Sequence, residues 1–309
     1  MWCLAAAILF LVQPARSGVL NLNGETITGP YIPGYVNETP ENDHAHSNDF
    51  LSISRNIFAP DSTHVVAFAG ETSFGHLAAA SAVATNAVVG YDFFSSSMIA
   101  GFTDTITING ASSGFLSLDF TFHGAVHKQS VNGSTATGNL LVQTHNSAGD
   151  VTYSSGGIAL DWFDTDPPAF AFQAGGTISS LHTATSLAPV NGSFEGQAIG
   201  QVLIPFSIAS FDLSVGLTTV AFCHAPCTTS SDFSNTALIG GYHILDNSLN
   251  PIPGATLTSE SGYDYVTPPG SAVAAAPEPG LTLLTAAVAF ALARHSRHAG
   301  LRARKKEQR

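Results

Sequence analysis

Positive charge is what the middle of this 309-residue chain lacks. Of its ten Lys and Arg, only Arg55 and Lys128 fall between residues 18 and 276, whereas that stretch holds twenty of the 22 acidic residues. Its net charge is therefore −18, against −12 for the whole chain. Such a surface repels phosphate backbones and anionic headgroups, which argues against nucleic-acid binding and favours divalent cations, neutral sugars or cationic matrix components as partners. Two bases can pair few of these carboxylates, so most are solvated or share metal ions. Cysteine is nearly as scarce, with three residues. No fixed-period repeat and no long amphipathic helix stand out. No His-Glu-x-x-His metal motif and no phosphate-cradling Gly-Lys-Ser/Thr loop occurs, and a pair of glycosidase carboxylates leaves no mark in sequence. The chain is expected to be non-enzymatic.

Both ends carry processing signals instead of chemistry. Leu4 to Val12 is an apolar run, and Ala15-Arg16-Ser17 is a small-x-small site that predicts cleavage between Ser17 and Gly18. No Lys or Arg precedes that run, which is unusual for a signal peptide. Cys3 leaves with the signal, so Cys223 and Cys227 are the cysteines that remain. At the other end stand Pro277-Glu278-Pro279, a charge-free run of 14 residues from Gly280 to Ala293, and a tail bearing Arg294, Arg297, Arg302, Arg304, Lys305, Lys306 and Arg309. The prolines keep the chain extended before the apolar run, which is expected to form a single hydrophobic helix. As a helix the run measures roughly 20 Å, short of a ~30 Å hydrocarbon core, so a span borrows length from snorkelling arginines or local thinning. A buried or amphipathic terminal helix is the alternative. The basic tail predicts a cytoplasmic end and an exported remainder.

Residues 277–309 resemble a PEP-CTERM sorting signal, the tripartite anchor of exported proteins from exopolysaccharide-producing Gram-negative bacteria. The resemblance implies recognition by an exosortase, cleavage near Pro277, and release from a transient inner-membrane anchor to the cell surface or matrix. The basic residues here are spread over Arg294 to Arg309 instead of packed behind the apolar run. A second stretch, from Asp232 through Asn250-Pro-Ile-Pro-Gly254 to Thr258–Tyr265, is similar to one that often precedes the anchor in such proteins. It implies kinship of the last strands and assigns no activity.

The 259 residues between the processed ends read as all-β, an antiparallel β-sandwich of jelly-roll type over residues 18–270, with 271–276 as a stalk. Two stacked sandwiches with a break near Asp150 are the alternative. Leu116, Leu118, Phe120 and Phe122 alternate with polar residues, as do Phe211, Leu213, Val215 and Leu217, each set marking a strand buried on one face. Val202, Ile204, Phe206 and Ile208 keep the same alternation, and Pro205 predicts an edge or a bulge. The Ala-rich stretch from Leu77 to Val89 suits a helix or a strand pair equally. Asn109-Gly110, Asn132-Gly133, Gly156-Gly157, Gly175-Gly176 and Asn191-Gly192 read as hairpin turns.

Four constellations are candidate sites. Cys223-His-Ala-Pro-Cys227 reads as a small disulfide loop in an oxidising compartment, with a Cys-His-Cys metal site as the alternative. Asp161, Asp164 and Asp166, closed by Pro167-Pro168, form the best calcium candidate, against a turn capped by Asp side chains. The twelve-residue loop of an EF-hand is absent. His44 and His46 point to one face of an extended chain, as in some Zn or Cu sites, though a surface loop is preferred. His123 and His127 have helical ligand spacing but fall at a strand end, and are read as incidental. No cofactor is required, with calcium kept open. Functionally, a structural or adhesive matrix protein leads. A carbohydrate-binding module stacking sugars on Trp162, Tyr153, Tyr242, Tyr263 and Tyr265 comes second, and a hydrolase with converging carboxylates or a Ser-His-Asp set third.

Overall fold

The computed structural model describes residues 18–29, 43–46, 50–58, 64–85, 93–130, 134–146, 148–154, 158–163, 169–174, 178–185, 193–224 and 226–266. The signal sequence, the sorting motif, the C-terminal apolar run and the basic tail lie outside them. Within them there are sixteen strands and no helix. In chain order these are β1 (Val19–Gly29), β2 (Asp43–His46), β3 (Leu51–Phe58), β4 (His64–Ser73), β5 (His76–Thr85), β6 (Phe93–Asn109), β7 (Gly114–Ser130) and β8 (Ser134–His145). There follow β9 (Val151–Ser154), β10 (Ile158–Phe163), β11 (Ala169–Ala174), β12 (Ile178–Thr185), β13 (Ser193–Phe206), β14 (Ser210–His224), β15 (Cys227–Leu245) and β16 (Thr256–Ser259).

Every pairing is antiparallel, in two sheets. One runs β11-β10-β8-β14-β6-β1-β2, with β16 added to β6 and β9 to β8; the other runs β12-β13-β7-β15-β5-β4-β3. Strands from either side of Asp150 alternate in both, and one buried cluster reaches from Leu20 to Tyr265. The two-residue period explains the packing: Leu116, Leu118, Phe120 and Phe122 of β7 are all buried, as are Phe211, Leu213, Val215 and Leu217 of β14. On β14 the polar alternates Asp212 and Ser214 are buried as well, which alternation alone does not predict. β13 ends at Phe206, leaving Ile208 outside the strand and 47% exposed. Pro205 pairs with Phe115 of β7 on one side, and on the other the described pairing with β12 runs as far as Val202, residues 175–177 lying outside the described residues. The Ala-rich stretch is strand β5 as far as Thr85, its remainder lying outside the described residues, and in β5 Ala, Ser and β-branched residues between two neighbours favour pairing over helix.

Of the turn dipeptides only Asn109-Gly110 lies among the described residues, but the strands flanking each are described, and in four of the five cases those strands do not form a hairpin. Asn109-Gly110 and Asn132-Gly133 fall where the chain passes between sheets, β6 to β7 and β7 to β8, and Gly175-Gly176 does the same between β11 and β12. Gly156-Gly157 separates β9 from β10, which lie end to end along β8, opposite residues 143–145 and 137–140. Only Asn191-Gly192 joins paired neighbours, β12 and β13. A Gly-rich turn signals a reversal but does not say whether the next strand returns to the same sheet.

Small residues let the two sheets approach closely around β4, β5 and β6. Ser96 Oγ donates to the Ala67 carbonyl across the sandwich at 2.7 Å, and Thr72 Oγ1 to that of Gly101 at 3.0 Å. Ser81 Oγ lies 2.8 Å from Thr219 Oγ1, and Ser231 Oγ donates to the Thr137 carbonyl. A hydroxyl one carbon off the backbone reaches an opposing carbonyl only if the sheets sit closer than the usual ~10 Å. Gly70 makes room for Met98, and Gly124 and Gly138 flank the ring of Phe233, which stacks on Phe122 at 4.8 Å.

Candidate functional site

The most organised polar site is a buried carboxylate that sequence reading passed over. Asp104 falls on the inward phase of β6, between Phe102 and Ile106, and is fully buried. An acid in the apolar phase of a strand was the available signal. Its carboxylate accepts from Ser259 Oγ at 2.6 Å, Ser261 Oγ at 2.7 Å, Ser261 N at 3.1 Å and the Tyr265 hydroxyl at 3.1 Å. Burial, then the adjacent Asp104 charge, pushes the Tyr265 hydroxyl well above the ordinary tyrosine range, so it remains a donor. Two more tyrosines secure the same segment. Tyr263 donates to the Ile239 carbonyl at 3.1 Å and packs edge-on against Tyr265, while Tyr242 accepts the Leu257 amide at 3.2 Å. Gly75, at φ +74°, lies under the Tyr263 ring, where any Cβ would collide. The residues that carried the second resemblance thus form a latch tying 256–265 to β6 and β15.

Asp232 and Asp246, also in that stretch, act locally. Asp232 accepts the Ser234 amide at the bulge in β15. Asp246 accepts the Ser248 and Asn250 amides, and the Asn250 amide foremost holds its carboxyl below the usual carboxylate range. The loop between β8 and β9 has the same construction, with Asn146 Oδ1 accepting the Ala148 and Asp150 amides.

A Ser-His-Asp set does converge, on the outer face of the nine-stranded sheet. His145 is the cross-strand partner of Asp212, and its Nδ1 lies 3.3 Å from Ser214 Oγ. Ser214 in turn lies 2.9 Å from Thr103 Oγ1, and Thr105 donates to Asp212 at 2.9 Å. All three are buried, and desolvation lowers the His145 pKa against the opposing pull of Asp212, which favours a neutral ring. A nucleophile-activating arrangement needs the carboxylate on the imidazole N–H opposite the serine, and an open face for substrate. Here the carboxylate is bonded to a threonine and the serine is covered. Gly110-Ala-Ser-Ser-Gly114 matches the Gly-x-Ser-x-Gly spacing, but it joins strand to strand, lacking the strand-to-helix elbow that exposes a nucleophile.

The predicted residues fare differently. Cys223 and Cys227 form a disulfide, Cα to Cα 6.2 Å, across the passage from β14 in one sheet to β15 in the other. Asp161 lies on β10, opposite Ala171 of β11, while Asp164 and Asp166 fall outside the described residues. His44 and His46 lie on β2, opposite Asn21 and Val19. His123 and His127 sit inside β7, not at its end, and His123 Nε2 lies 3.0 Å from Glu195 Oε1 of β13. Among the described residues no cluster of three or more His, Cys, Asp or Glu is placed to hold a metal ion. Of the tyrosines proposed for sugar stacking, Tyr265 is buried, and Tyr242, Tyr263 and Tyr153 are partly buried against the core. Trp162 is on β10, paired with Phe170. Among the described residues no helix is long and apolar enough to cross a membrane. Ser17, Pro277, Glu278, Pro279 and the tail Arg294, Arg297, Arg302, Arg304, Lys305 and Lys306 lie outside the described residues, and Gly18 is the first of them. Compared with known proteins, the chain matches no family model and no curated protein.

Proposed function

We propose that this is an exported, non-enzymatic sandwich protein, sorted by its Pro277-Glu278-Pro279 segment through an exosortase and released to the cell surface or an exopolysaccharide matrix, where it serves as a structural or adhesive element. The observation that carries this reading is the latch. The domain closes on residues 256–265, ahead of the stalk and the sorting motif, so a cut near Pro277 leaves every latch contact on the released side. Asp104, His145, Asp212 and Ser214 spend their polar atoms on one another or on neighbours, as structural groups do. The net charge of −18 suits a soluble matrix component, and calcium bridging through Asp161, Asp164 and Asp166 is kept as part of the reading.

Expression in an exosortase-bearing host with a tag near residue 270 tests it. Release of a tagged protein lacking the basic tail is expected, and its retention at the membrane when the exosortase gene is deleted. Unchanged release in the deletion strain would sink the sorting assignment. Glycan-array binding of the released protein, with and without calcium, tests the carbohydrate-binding alternative.

A further inference from the structure

The buried Asp104 carboxylate has four neutral donors and no cation among its described partners, and the first residue of the predicted mature chain lies against Ser261, one of those donors. β1 pairs with β6 so that Val19 faces Thr103; the same register continued by one residue sets Gly18 opposite Asp104. β16 pairs with the same edge of β6 from the other direction, with Ser259 facing Ile106 and Glu260 N donating to the Thr105 carbonyl at 3.0 Å. The two strands therefore share one position end to end, and Glu260 fills the place into which β1 would extend through residue 17. Gly18 is buried, and a Cβ on it would come within 2.9 Å of the Ser261 Cβ and 2.5 Å of the Phe74 ring. Ser261 is the residue that donates twice to Asp104.

We propose that cleavage after Ser17 creates the missing cation: the α-ammonium of Gly18 docks on the Asp104 carboxylate and completes the latch between the two ends of the chain. This rests on the signal-cleavage part of the reading above. Hydrolysis of the Ser17–Gly18 peptide bond leaves a carboxylate on the discarded signal and an amine on Gly18, which takes up a proton below its ordinary pKa of ~8. A counter-charge at a buried carboxylate offsets the cost of burying it, against the desolvation of the ammonium itself. The other ionisable residues on the elements that meet there are Glu260, Tyr263, Asp264 and Tyr265 of the latch and, on β2, His46, whose backbone pairs with Val19; the turn residues Phe74 and Gly75 do not ionise.

The test uses residues 18–309 in detergent, made behind a leader whose proteolytic removal leaves nothing ahead of Gly18. Removal is expected to raise the thermal midpoint, and to slow acetylation of the Gly18 amine by acetic anhydride at least about tenfold relative to the same chain in urea. The gain should be full below the ordinary amine pKa and fade as pH rises through the higher, folded value. Asp104→Asn should abolish both effects. If that variant does not fold, wild-type protein acetylated at Gly18 in urea and refolded should show the lower midpoint of the leader-bearing form. An unchanged midpoint, with Gly18 acetylated as fast folded as unfolded, overturns the pairing. N-terminal sequencing of host-exported protein separates the two claims. A start elsewhere than Gly18 overturns the cleavage assignment, whereas a start at Gly18 with a freely reactive amine overturns the pairing alone.

Discussion

The two ends of the sandwich hold their sheets together by different means. At the disulfide end the inward residues are small or hydroxylated: Ser81, Ser96, Thr219 and Ser231 cross between sheets, and Val66, Val83, Phe94, Ala221, Cys223 and Cys227 form a separate small core. At the latch end the sheets are filled by Phe102, Ile106, Leu116, Leu118, Phe120, Phe206, Phe211 and Leu213, and that end is shut by Tyr265 and Asp104. One end is pinched, with directional bonds and a covalent link; the other is filled by hydrocarbon and closed by a strap from the chain's last described residues. β6 and β14 run through both ends, and along them the difference is one of composition.

The largest expected effect is at the strap. Asp104→Ala leaves Ser259, Ser261 and Tyr265 without their acceptor, and should cost about 3–5 kcal/mol in urea unfolding, with the 256–266 segment becoming protease-sensitive. A loss below about 1 kcal/mol would mean the strap contributes little. At the pinched end, Gly138→Ala sets a methyl 2.0 Å from the Phe233 ring and should cost about 1–3 kcal/mol, part of it recovered by adding Phe233→Leu. Replacing both Cys223 and Cys227 by Ser opens a loop of sequence separation 4 and should cost about 2 kcal/mol, visible as a lower urea midpoint than for the oxidised protein. Acid should weaken the protein before its carboxylates titrate. Burial lowers the pKa of His145, His76 and His127, so the unfolded chain binds protons first as pH falls through ~6.5. His145→Gln should flatten part of that slope in pH-dependent unfolding. The smallest effect belongs to the twin loops. Leu249 adopts φ +63° at the position where Gly149 takes +86° in the loop between β8 and β9, so Leu249→Gly should stabilise by about 0.5–1 kcal/mol. A drop in thermal midpoint would show that the Leu side chain contributes more than the backbone strain costs.

What was legible followed from period and composition. Alternation located β7, β13 and β14 and their buried faces, because a half-buried strand must alternate. The disulfide pair followed from counting cysteines. Sheet membership was not legible, because Asn109-Gly110 reads alike whether the next strand pairs with the last or crosses to the other sheet. Nor was the His145, Asp212 and Ser214 cluster, whose members meet only through the pairing of β8 with β14. Asp104 was legible in principle, as an acid in an apolar phase, but its donors lie 155 to 161 residues away.

Sharing one strand position between β1 and β16 has a kinetic consequence. β6, which both must join, comes some 70 residues after β1 begins and about 150 before β16 ends. The earliest segment synthesised therefore waits for its partner, and closure waits for nearly the whole domain, which places this chain among high-contact-order, slow-folding topologies. A chain that cannot finish folding until Tyr265 has emerged stays open while it is being made.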